Sequence, residues 1–184
     1  MKIRSLVVMA TGALLLSGAP AFAQSAGASD PPVTTGNFIK KASQDGLVEV
    51  QLASLAQQKA ASDDVKKFAV QMQADHEKAN SDLQAIAASK HVSVASGLDQ
   101  EHQEMVSELT TKSGQAFDAA YASHMVAAHK KAVALFTSAS HSSDPQIAEF
   151  ASKTLPTLEH HKGMADDLLA KRKLAAAGAP GATT

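Results

Sequence analysis

Apolar residues return at three- and four-residue steps in four long stretches of this chain. Val65, Phe68, Met72, Ala79, Leu83 and Ile86 form one such stripe, the signature of a helix with one face packed inward. Phe38, Ala42, Leu52 and Ala56 form a second, and Phe117, Tyr121, Met125, Val133 and Phe136 a third. Ile147, Phe150, Leu158, Ala165 and Leu168 form the fourth. Strand-like alternation is nearly absent. The pattern predicts helices over about 38–60, 63–89, 115–140 and 145–176. A shorter helix to about Thr111 carries Leu98, His102, Met105 and Leu109 along one side.

The breaks between stripes set the connections. Thr35 or Asn37 is the expected cap of the first helix and Ser62, followed by Asp63 and Asp64, that of the second. Ser96 and Asp99 have capping-box spacing. Asp144-Pro145 starts the last helix with a cap and a first-turn proline. Pro156 lies inside that helix and predicts a bend near 153–160. Gly46, inside the first helix, costs up to about 1 kcal/mol relative to alanine, and a close approach by a neighbour would explain it. A tight turn within each pair of long helices and a long middle connection predict an all-α, ferritin-like four-helix bundle, its crossover carrying the short extra helix.

The ends read differently. Lys2 and Arg4, the apolar run Leu6–Leu16 and Ala21-Phe22-Ala23 predict residues 1–23 as a signal peptide cleaved after Ala23, which makes the mature chain periplasmic. The apolar run is too short for a membrane span of about 20 residues, so no membrane insertion of the mature chain is expected. Residues 24–36 are small, polar and proline-bearing, a flexible linker. The bundle occupies 37–174, and 175–184 reads as a disordered tail.

Composition narrows the function classes. The 17 basic residues less Lys2 and Arg4 leave 15 against 18 acidic, which gives no electrostatic reason to bind nucleic acid. There is no cysteine, so disulfides, thiolate metal sites and thiol catalysis are excluded. Aromatics are only 4%, which favours close-packed helices over a sheet. No G-x-S-x-G or phosphate-binding glycine loop is present.

Four polar residues stand on the apolar faces: Glu49, His76, His129 and His161. A buried ring without a partner costs roughly 1–3 kcal/mol, so these residues are expected to find one another or a metal. At 1.5 Å per residue, Glu49, His76 and His129 lie about 18, 22 and 20 Å from their interhelix turns and could share a layer. His161 comes out near 28 Å, one to two turns off. The plain alternative is that Glu49 and His76 satisfy each other. As a metal centre, the set suits copper, zinc or iron. Met72, Met125 and Met164 lie three or four residues from a histidine and would favour copper, although methionine at helical spacing is ordinary core filler. Asp75 is placed to orient a ligand, and Tyr121 to bond one through its hydroxyl. His91, His102, His124, His141 and His160 read as surface or edge residues.

The runs FAVQMQADHEKANSDL, FDAAYASHMVAAHKKAVALF and FASKTLPTLEHHKGMADDL resemble the domain-of-unknown-function family 4142. The resemblance covers about Asn37 to Leu169, and its motif positions correspond to Glu49, Asp75-His76, His129 and the LPxLxxH run from Leu155 to His161. It implies a ferritin-like bundle in an exported bacterial protein and brings no settled activity. Ferritin di-iron sites use Glu-x-x-His on two helices. Gln73 and Leu158 stand where those glutamates would be, which disfavours a ferroxidase. The expectation is a non-catalytic envelope protein that binds a metal or a protein partner, with a role in stress tolerance. The alternative is a metal-dependent redox enzyme with its centre in the bundle core.

Overall fold

A computed structural model describes residues 33–178, and among these the regular structure is helical: α1 (Thr35–Lys59), α2 (Asp63–Ser89), α3 (Gln100–Thr110), α4 (Gly114–Ala139) and α5 (Pro145–Gly178). The signal-peptide reading and most of the linker lie outside the described residues. Thr35 and Gly36, read as linker, already belong to α1. At the other end α5 continues through Gly178, four residues into the stretch read as a tail. Among the described residues no helix is long and apolar enough to cross a membrane.

The helix starts follow from side-chain oxygens near orphan backbone donors. Thr34, rather than Thr35 or Asn37, caps α1, its Oγ1 accepting from the Asn37 amide at 3.3 Å. Ser62 has the extended backbone of a cap, but its side chain makes no capping bond. The buried Asp118 of α4 takes over there, accepting from the amides of Ala61 at 3.0 Å and Ser62 at 2.9 Å. Asp99 is itself the cap of α3, accepting from the His102 amide at 3.0 Å, so the capping-box reading from Ser96 placed that helix start too early. Asp144 Oδ1 accepts from Gln146 and Ile147, and Pro145 fills the first position of α5. The helix runs unbroken through Pro156. Gly114 enters α4 with φ 59°, a left-handed conformation that glycine adopts without the strain a Cβ brings.

α1 packs on α2 and α4, and α5 on α2 and α4, so the helices form a ring with α1 and α5 on one diagonal. Contacts at the two ends fix their directions. At one end Asp144, just before α5, accepts from Thr35 Oγ1 at 3.1 Å and pairs with Lys90 Nζ at 2.6 Å. The start of α1, the end of α2 and the start of α5 therefore meet there. At the other end Asp118 joins the start of α4 to the α1–α2 turn, and an isolated bridge pairs Ala60 with Gly114. Neighbouring helices are antiparallel, and the connection from α2 to α4 travels the length of the bundle. α3 lies on that connection, against α1 and α4.

The core falls into two apolar clusters. One, toward the Asp118 end, holds Leu52, Phe68, Met72, Phe117, Tyr121 and Met125. The other, toward the Asp144 end, holds Phe38, Leu83, Phe136, Ile147 and Phe150, with Phe38 edge-on to Phe136 at 5.1 Å between ring centroids. Glu49, His76, His129 and His161 belong to neither cluster. Along each long helix the buried polar residue falls between residues of the two, so a polar layer divides the core. Next to this layer α1 and α2 come close: a Cβ built on Gly46 would lie 1.9 Å from Asn80 Oδ1.

Candidate metal centre

Three histidines from three helices meet in the polar layer. His76 (α2), His129 (α4) and His161 (α5) are all buried, and each offers one ligand atom within 4.8 Å of the other two. The His76 and His161 rings stack at 5.6 Å, and the His129 ring stands edge-on to both, at 5.7 and 5.5 Å.

Hydrogen bonds fix which nitrogens face inward. His161 Nε2 lies 2.9 Å from Asp75 Oδ2. A carboxylate can only accept, so Nε2 carries the proton and Nδ1 keeps a lone pair. His129 Nδ1 lies 3.0 Å from the Met125 carbonyl, which by the same logic leaves Nε2 with the lone pair. These two free nitrogens, His161 Nδ1 and His129 Nε2, are buried without a partner, and so is His76 Nε2. Ligating histidines are held in this way, by an outward N–H bond to a carboxylate or carbonyl that sets tautomer and ring orientation.

Electrostatics keeps the rings neutral. Burial pushes His76 down to about 3, with the neighbouring His129 and His161 adding to the effect. Burial likewise pushes His129 down to about 4, against the opposing bond to Met125. His161 is also lowered by burial, although the Asp75 bond and charge oppose this. At neutral pH the site is therefore a set of neutral imidazoles, the state that metal binding requires.

Glu49, expected in one layer with His76 and His129, is not part of this group among the described residues. It is buried on α1 with Oε2 unpartnered. Burial, then the charge of Asp45, pushes its carboxyl up to about 8. His161, expected a turn or more off the layer, is in it. The reason lies in side-chain direction, since Cβ points toward the N-terminus of its own helix. His161 on α5 leans toward the Asp144 end, whereas His76 and His129, on helices running the opposite way, lean toward the Asp118 end. The three rings converge although their backbones do not sit level.

The supporting residues also differ in part from expectation. Asp75 orients His161 across the α2–α5 contact rather than its neighbour His76. The Tyr121 hydroxyl is buried without a partner and bonds no histidine. Its pKa is raised by burial and then by the nearby Glu49. Met72 and Met125 are core members, and Met164 packs against the same cluster. His102, read as a surface or edge residue, is buried on α3. Its Nδ1 lies 2.7 Å from Asp99 and its Nε2 3.6 Å from Asp45. Its place in the α3 stripe with Met105 and Leu109 was the available signal. Asp118 was missed altogether; an acid directly after Phe117 and one turn before Tyr121 was the clue.

Over residues 18–168 the chain matches the model of the family described as a domain of unknown function, DUF4142. It belongs to that family. Among solved structures, this DUF4142 chain is similar to the crystal structure of a DUF305 fragment from Deinococcus radiodurans. The TM-score is 0.66 at 17% identity, over 77% of this chain and 99% of that one, a likeness that shows the fold alone. No curated protein matches the chain.

Proposed function

We propose that this DUF4142 protein is an exported metal-binding helical bundle whose centre is His76, His129 and His161. One observation carries the reading: three buried ring nitrogens, from three helices, converge without hydrogen-bond partners. An apo protein gains nothing from burying three unpartnered ring nitrogens together, since each unsatisfied group costs roughly 1–3 kcal/mol. A metal cation bonded to all three removes that cost. Imidazole suits copper, zinc and iron, whereas magnesium and calcium prefer oxygen. Asp75 holds His161 in place, and Glu49 lines the same cavity as His76 and His161.

Export rests on the basic, apolar and small-residue succession of residues 1–23. In the envelope, such a centre fits the binding of copper or zinc under metal stress. The test is a titration of metal-free protein with Cu(II) and Zn(II). One equivalent is expected to bind tightly, and His129→Ala is expected to abolish uptake while preserving the helical circular dichroism. Equal uptake by wild type and His129→Ala would defeat the reading.

A further inference from the structure

The structure assigns this centre an open coordination position, facing a cavity that admits a small exogenous ligand, water or a monovalent anion. The assignment rests on reading the three histidines as the metal centre. A cavity of about 110 Å³ is lined by exposed Lys41 and Lys131 and by buried Glu49, His76 and His161. It therefore reaches from the protein surface to His76, which keeps 8% exposure, with the fully buried His161 behind its wall. His129 is not among its lining residues, so the cavity meets the centre on the His76–His161 side, away from His129.

Three arguments give the position its character. Three imidazoles fill three places of a tetrahedral ion, and structural sites close the fourth with another side chain. Among the described residues no fourth histidine or carboxylate joins the cluster. Next, a water needs only about 10–15 Å³ of such space, so the cavity has room for several waters or a small polyatomic ion. Finally, Glu49, only 5% exposed, lines the cavity with Oε2 unpartnered. A buried carboxyl left without a protein partner beside a water-sized space is a hydrogen-bonding group for whatever occupies that space.

Cobalt(II) as the metal and azide as the ligand test this on the mature chain. One equivalent of Co(II) is added to wild type, His129→Ala and Glu49→Gln, and the visible spectrum is followed as azide is titrated. The expected result is 1:1 Co(II) binding in wild type and Glu49→Gln, with azide shifting the wild-type cobalt bands along a single-site curve and its affinity changed in Glu49→Gln. A wild-type cobalt spectrum indifferent to azide, with binding still abolished by His129→Ala, would overturn the open position and leave the trihistidine centre standing. Azide binding that appears only in Glu49→Gln would mean that Glu49 fills the fourth place, which also overturns it. Absence of Co(II) uptake by the wild type would remove the centre and the open position together.

Discussion

Asp75 and His161 stand 86 residues apart in the chain and meet at 2.9 Å between Oδ2 and Nε2. That bond decides which nitrogen of His161, at 0% exposure, is turned toward the other histidines. Asp75→Ala should therefore weaken metal binding by about 10–100-fold, as loss of a ligand-orienting partner does, without changing the stoichiometry. Chelator competition with wild type and variant measures it.

Stability of the metal-free protein should peak near pH 6.5. His76 and His129 are pushed down to about 3 and 4 when folded, against an ordinary value of 6.5, so the unfolded chain takes up protons first. Each then costs roughly 1.4 kcal/mol per pH unit as pH falls below 6.5. Glu49 has the opposite sign. Its carboxyl is raised from 4.5 to about 8, so its contribution is full below 4.5 and lost as pH rises toward 8. Between 4.5 and 6.5 the two histidines outweigh it; above 6.5 it acts alone. Urea unfolding from pH 5 to 8 should show the maximum, and Glu49→Gln should abolish the decline on its alkaline side.

Gly46 and Asn80 should behave as a coupled pair. Alanine at 46 gains up to about 1 kcal/mol of helix propensity but meets the Asn80 side chain at 1.9 Å. Gly46→Ala should be clearly more favourable in an Asn80→Ala background than in wild type, with a coupling of roughly 0.5–3 kcal/mol. Thermal or urea unfolding of the four proteins of the cycle gives the value.

Asp118 is fully buried, accepts two backbone amides at the α1–α2 turn and lies 3.5 Å from Arg172 Nη1. Asp118→Ala strands those donors and should cost about 3–5 kcal/mol, the range for breaking a buried charged network. Because Asp118 lies at the end of the bundle and outside the histidine layer, metal stoichiometry should be unchanged in the folded variant. Denaturant unfolding together with metal titration checks both statements.

The four long helices were legible because each carries its own stripe and start signals, as Asp144-Pro145 shows for α5. The inward placement of His76, His129 and His161 followed from the same local periodicity. Their mutual distances did not, because a count of residues along an axis ignores the tilt of each side chain toward its own N-terminus. That omission kept His161 out of the expected layer, whereas Glu49 lies in the polar layer without joining the three histidines. Contacts across long separations were also hidden. Asp75 reaches His161 on another helix, and Asp118 replaces Ser62 at the α1–α2 turn. His102 is buried on the same α3 stripe as Leu109, and its two carboxylate contacts, not the stripe, are what the sequence leaves hidden.

X-ray absorption of the protein loaded with one equivalent of Zn(II) or Cu(II) probes the trihistidine centre most directly. Three imidazole nitrogens at about 2.0–2.1 Å, with the outer-ring scattering of histidine and one further light atom, are the expected shell. Loss of one imidazole in each of His76→Ala, His129→Ala and His161→Ala, or loss of the metal altogether, should accompany it. A shell with fewer than three imidazoles, or one unchanged when these histidines are replaced, would contradict the centre.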